Sequence, residues 1–202
     1  METILKLSFC VTLVVVVSCA QASVPSTCAR TECPTYKMVE AGNGYEIRMY
    51  NAAVWMSTAP IPASSMTQAT NTGFKRLFSY IQGDNKSKTR MSMTAPVVTQ
   101  VTPGKSAYTV SFYIPKANQQ NPPLADDLHV QKWNPTYVAV RQFGGWVSDD
   151  AAKKESAALM ASLKGTKWIA PVEKTKGYLV AGYNAPFEII GRVNEIMVPF
   201  NM

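Results

Sequence analysis

Histidine is almost missing from this chain: His129 is the single example in 202 residues. A zinc site needs four good ligands, or three and a water, and one imidazole with a pair of spare cysteines falls short of that. A Ser-His-acid arrangement would depend on His129 alone, which stands in a strand-like stretch with no nucleophile motif beside it. Acidic residues are few, 13 Asp and Glu in all. They sit mostly in loops and at helix starts, where capping accounts for them, so no carboxylate pair suited to acid–base work stands out. These absences point away from an enzyme. Long apolar runs are missing too. The one candidate, Leu7–Val17, is shorter than the roughly 20 residues a membrane-spanning helix needs, so no membrane span is expected.

What is present begins with that apolar run. Lys6 precedes it and Ala20-Gln21-Ala22 follows it, the pattern of a secretory signal peptide cleaved after a small residue. Residues 1–22 are therefore expected to be removed and the protein to be secreted and extracellular. Val16-Val17-Ser18-Cys19 leaves a lipoprotein signal open as the alternative. Cys10 and Cys19 belong to this segment. Cys28 and Cys33, in an N-terminal segment 23–35, are the two that remain, and five residues apart in an exported chain they predict a local disulfide. The net charge is +7, which favours anionic partners. The basic residues are scattered and no nucleic-acid motif accompanies them, so a small hydrophobic, carboxylate-bearing ligand is expected and a nucleic acid is not.

The order of elements repeats. Tyr45-Glu46-Ile47-Arg48-Met49-Tyr50 runs on to Trp55, and Tyr137–Phe143 runs through Gly144-Gly145 to Trp146. A helical pattern follows each and ends at Gly83 or Gly165. An Ala-Pro follows each helix, at 95–96 and 185–186, and a strand closing on Pro115 or Pro199 comes next. Strand, strand, helix, strand, strand, twice over, predicts two halves, about 36–116 and 128–200, joined about an internal pseudo-twofold axis in one domain, 36–202. Neither half could bury both faces of its sheet alone. Period-two alternation predicts one packed and one solvent face for each strand.

The first helix is expected over Met66–Gln82, with Phe74, Leu77, Phe78 and Ile81 on one face. The second is expected over Asp149–Lys164, capped by Ser148, with Ala152, Leu159, Met160 and Leu163 inside. Asn85-Lys86-Ser87 is a glycosylation sequon in a polar loop. Lys116–Pro135 reads as a long loop and then a strand on which His129 faces solvent.

Tyr45-Glu46-Ile47-Arg48-x-Tyr50, Gly73-Phe74 to Gly83, Arg90-Met-x-Met-Thr-Ala-Pro-Val97, Tyr113-Ile-Pro115, Phe143-Gly-Gly145, Ala181-Gly-Tyr-Asn-x-Pro186 and Arg192-x-Asn-Glu195 occur in this order. Together they resemble the SOUL/haem-binding protein family over about residues 36–200. The resemblance implies an α+β fold, a distorted antiparallel β-barrel with two helices and internal pseudo-twofold symmetry, related to the effector-binding domains of bacterial regulators. It also implies haem or another tetrapyrrole as cofactor, held in an apolar surface groove beside the first helix. Carried onto this chain, it puts Phe74, Leu77, Phe78 and Tyr183 at the ring, with Lys75 and Arg76 near its carboxylates. Where some members of the family carry a histidine between the counterparts of Arg48 and Tyr50, this chain has Met49. Met49 and His129 are the only, weak, candidates for the iron, so binding without strong axial ligation is expected. The alternative is a secreted interaction or defence protein that keeps the fold without the ligand.

Overall fold

A computed structural model describes residues 24–202. The expected signal segment, with Cys10 and Cys19, lies outside them. The first half supplies β1 (Tyr36–Gly42), β2 (Tyr45–Tyr50), β3 (Ala53–Thr58), the two-residue β4 (Ile61–Pro62), α1 (Met66–Ile81), β5 (Val97–Val101) and β6 (Ala107–Tyr113). The second supplies β7 (Leu128–Trp133), β8 (Thr136–Phe143), α2 (Asp149–Leu163), a short α3 (Ile169–Glu173), β9 (Tyr178–Gly182) and β10 (Asn194–Phe200). Neither β4 nor α3 was expected from the sequence.

Nine strands form one antiparallel sheet in the order β1-β2-β8-β10-β9-β5-β6-β3-β7, and β4 pairs beside β6. From β2 to β7 this order is a palindrome. Exchange β2 with β7, β3 with β8, β5 with β9 and β6 with β10, and it reads the same backwards. The pseudo-twofold axis passes between β5 and β9, which pair from Val97 opposite Gly182 to Val101 opposite Tyr178. The symmetry is as expected, but three of the correspondences used to infer it are not. The equivalent of β2 is β7, not the Tyr137–Phe143 strand. Trp55 is buried in β3, whereas Trp146 lies outside any strand and is 59% exposed. Ala95-Pro96 leads into β5, while Ala185-Pro186 follows β9. Only the two helices and the closing strands, β6 and β10, were matched correctly.

The sheet curls without closing, since β1 and β7 end the order unpaired with each other. The curl is visible in the packing. Tyr50, Trp55, Val98, Tyr113, Val140 and Met197 come from six strands yet meet in one inner cluster. Strands spaced about 4.8 Å apart could not bring them together in a flat sheet. The outer face carries two further clusters, one under α1 around Met56, Leu77 and Phe112, the other under α2 and α3 around Ile47, Leu159 and Ile196. The central strands are thus buried on both faces, contrary to the expected solvent face; β10 is buried at six of its seven positions.

Helix α1 starts where the Ser65 side chain accepts from Gln68 N at 3.1 Å, and ends before Gly83 at φ +104°. Its inner face is Met66, Ala69, Gly73, Leu77, Tyr80 and Ile81. A Cβ at Gly73 would lie 2.5 Å from the Val110 side chain, so the missing side chain lets the helix rest directly on β6. Helix α2 starts at Ser148, whose side chain accepts from Ala151 N, as expected. Asp149 does more than complement its own helix. Its carboxylate accepts from Met66 N at 2.8 Å and from Thr67 N at 3.2 Å, so the first residue of α2 caps α1 across the axis. Burial works against the Asp149 charge, but these bonds outweigh it and hold its pKa below the ordinary carboxylate value.

The glycosylation expectation needs correction. Asn85 is buried, and its Nδ2 donates to both Tyr80 O at 2.9 Å and Thr89 O at 2.7 Å, while its Oδ1 accepts from Thr89 N. The side chain is spent clamping the 83–89 loop, with neither room nor a free hydrogen for a sugar in the folded protein.

Two outcomes follow from these contacts. Gly73→Ala should destabilise the fold by about 1–2 kcal/mol in urea unfolding, the overpacking penalty exceeding the helix-propensity gain. Asp149→Ala should cost about 1–2 kcal/mol at neutral pH. A carboxylate with a lowered folded-state pKa stabilises above its unfolded pKa and loses that effect as pH falls through the folded value. The gap between variant and parent should therefore narrow below about pH 4.

Candidate ligand-binding groove

A groove opens on the outer side of the sheet, where β5 begins and β9 ends. One bank is α1, through Phe74 and Phe78, whose rings stack 5.7 Å apart at 13°. The opposite bank is the β9–β10 loop, residues 183–193. The floor is Val97 and Gly182, paired across the axis. The main chamber has a volume of about 690 Å³ and narrows past Phe74 into a second of about 350 Å³ beside Trp146, Val147 and Asn194. A Cβ on Gly182 would find nothing nearer than Asn194 Oδ1 at 3.9 Å, so the bare glycine keeps the floor low.

The third side of the main chamber was not foreseen. Thr27 lines it, together with Arg30 and Thr31 from the loop closed by the Cys28–Cys33 disulfide. That loop is sewn to the Met-Thr-Ala-Pro segment: Ala95 N donates to Glu32 O at 3.0 Å, and Glu32 and Thr94 form a parallel bridge. Thr94 Oγ1 in turn donates to Tyr113 O at 2.6 Å. The motif at 90–97 thus anchors the N-terminal segment to the groove rim.

The expected site residues divide. Phe74 is half-buried and Phe78 is 42% exposed, and both face the groove. Leu77 does not: it is fully buried in the cluster beneath α1. At about 100° per residue, Leu77 is turned toward the sheet when Phe74 and Phe78 are turned toward the loop. The same arithmetic puts Arg76 on the far side of the helix. Lys75 is exposed and lines neither chamber. Met49 is half-buried on β2 between Lys37 and Tyr137, and His129 is exposed on the edge strand β7. Neither lines a chamber. Among the described residues no cluster of three His, Cys, Asp or Glu could hold a metal ion, and no helix is long and apolar enough to cross a membrane.

Tyr183 lines the main chamber but its hydroxyl points away from it, donating to Glu195 Oε2 at 2.7 Å. Glu195 Oε1 accepts from Arg48 Nη2 at 2.8 Å, and both side chains are 0% exposed. Arg48 also donates to Glu46 at 2.7 Å and to the Tyr50 hydroxyl at 3.1 Å, and lies over the Tyr36 ring at 4.4 Å. Burial works against the Arg48 charge, but Glu195 and the surrounding hydroxyls more than offset it and raise its pKa. Burial first, and the Glu195 carboxylate second, push the Tyr183 phenol well above the usual tyrosine value. This network is the part of the site that sequence reasoning missed. The signal was present, as Arg48 and Glu195 both sit in the quoted motifs, but alternation alone does not say that two charged side chains meet inside the sheet.

A profile of the SOUL heme-binding protein family matches residues 31–199 of this chain. The chain belongs to the SOUL family. It is 37% identical to human Heme-binding protein 2 over 176 residues, 82% of this chain and 84% of that one. It is 28% identical to Heme-binding protein 1 of Xenopus tropicalis, over 77% and 83% of the two chains. Among solved structures, the SOUL fold seen here is similar to an uncharacterized conserved protein from Listeria innocua, at a TM-score of 0.52 and 9% identity over 79% of this chain and 93% of that one. It is also similar to EcmrR in an EcmrR–DNA complex, at 0.56 and 10% identity over 77% and 56%. At such identities these two likenesses concern the fold alone.

Arg48→Met should destabilise the protein by about 3–5 kcal/mol, because Glu195 is left buried without its partner. Arg48→Met with Glu195→Leu should recover most of that loss. Denaturant unfolding of the three variants measures both.

Proposed function

We propose that this SOUL protein binds haem or a related tetrapyrrole in the groove, with the flat ring against Phe74 and Phe78, and that it acts as a binding protein and not an enzyme. The named relatives are heme-binding proteins. The observation that carries the reading is the groove itself. Its volume of about 690 Å³ lies within the range of about 300–1,000 Å³ typical of small-molecule sites. A stacked aromatic pair, Met93, Val97 and Pro186 give it the apolar surface a flat macrocycle needs.

The carboxylates of such a ligand need cations, and the helix cations Lys75 and Arg76 are poorly placed. Arg30 and Arg192 line the chambers instead. The Arg192 guanidinium lies over the Trp146 ring at 4.1 Å and, among the described residues, pairs with no carboxylate, so its charge is available to a carboxylate in the second chamber. For the iron, the lining offers the Met93 thioether, and the Tyr183 hydroxyl is committed to Glu195. Face contacts, without a strong axial ligand, are the mode this lining supports. Secretion completes the proposal: the Cys28–Cys33 disulfide suits an oxidising compartment.

A haemin titration followed at the Soret band tests this. Saturable binding is expected. Phe78→Ser should weaken it about tenfold, or ~1.4 kcal/mol, with little change in stability. Gly182→Leu should do the same by filling the floor. Arg76→Glu should leave affinity unchanged. No saturable shift in the parent protein would reject the reading and favour the ligand-free alternative.

A further inference from the structure

The β9–β10 loop ends in an apolar tip. Phe187 is 82% exposed, Ile189 71% and Ile190 93%, and Gly191 turns the chain back at φ +68°. Three large apolar side chains held in water within four positions mark a contact surface. We propose that this tip inserts into the headgroup region of an anionic lipid bilayer, setting the mouth of the groove against the membrane.

Three observations favour a bilayer over a folded protein partner. The first is size. Three side chains on one short tip cannot supply the roughly 800 Å² per partner that a stable protein interface buries, whereas interfacial insertion needs only a shallow apolar wedge. The second is how the loop's polar groups are satisfied. Glu188 N donates to Ala185 O at 3.0 Å, and Ala185 N donates to Glu188 Oε2 at 3.1 Å. Arg192 Nη1 donates to Ala185 O at 3.0 Å and to Glu188 O at 2.7 Å. Those bonds close the base of the loop at residues 185 and 188 and hold the tip, residues 189–191, as a fixed projection. The third is charge. Glu188 is the one acidic residue of the loop, and its carboxylate is paired with Arg30 at 2.9 Å. Arg192 stands behind the tip and, among the described residues, has no carboxylate paired to it. The net charge stays +7 without residues 1–22, because Glu2 and Lys6 cancel. A basic body behind an apolar tip matches an anionic leaflet.

Flotation with phosphatidylcholine vesicles, with and without phosphatidylserine, tests this on the purified protein. Binding to the serine-containing vesicles is expected, weaker at high salt. Ile189→Ser with Ile190→Ser should lower the partition coefficient about tenfold or more. Neither isoleucine lines the main chamber or the second, so haemin affinity of this variant should equal that of the parent. Equal vesicle binding by parent and variant would overturn the proposal, as would the absence of binding to either vesicle, the result expected if the tip serves a protein. Vesicle binding without haemin binding would reject the tetrapyrrole reading and leave this one standing.

Discussion

The Arg48–Glu195 ion pair is the constraint around which the inner face is organised. β2 and β10 are not neighbours; β8 lies between them. A full charge on each, held at 2.8 Å with neither side chain exposed, ties the first half of the chain to the second through the interior. Such a pair contributes little stability compared with a well-packed apolar alternative, yet breaking it is expensive. Its consequence is registry. Glu46, Tyr36, Tyr50, Gln142 and Tyr183 all place a polar atom or ring against the pair. A slip of either strand by one residue would send its charge to the opposite face.

The same network explains why the groove is firm on one side. Tyr183 is the first residue after β9, and its bond to Glu195 fixes the point from which the 183–193 loop departs. Across the groove, α1 is fixed at its start by Asp149 and along its length by the close approach at Gly73. Twofold symmetry would allow a second groove beside α2. The symmetry is broken by side chains: α1 presents stacked phenylalanines toward the axis, and the N-terminal disulfide loop has a counterpart in neither half.

Much of this architecture was legible in the sequence, though partly for the wrong reasons. Helix ends were readable because caps are local: Gly83, Ser148 and Gly165 act through their own backbone neighbourhood. The disulfide and the two outer-face aromatics were readable for similar reasons. The duplication was inferred correctly, while the paired tryptophans and the Ala-Pro segments were coincidences. Structural equivalence is set by strand pairing, which a motif comparison cannot see. Leu77 and Phe78 are adjacent in sequence and both apolar, and only the position of the sheet decides which is core and which is site. Asn85 was expected on a surface loop and Arg48 was given no role, whereas each has enough partners to be buried. The groove's third side, from Thr27 to Thr31, was illegible because it depends on a bridge between segments about sixty residues apart.

That third side rests on a covalent staple. The 28–33 loop contributes Arg30 and Thr31 to the rim, with Thr27 just before it, and the cystine adds a covalent link to the backbone bonds that hold so short a segment in shape. A rim built this way moves as one piece: the covalent turn, the backbone bond from Ala95 and the bridge to Thr94 join the amino-terminal segment to the start of β5, so this bank cannot shift without taking the strand entrance with it.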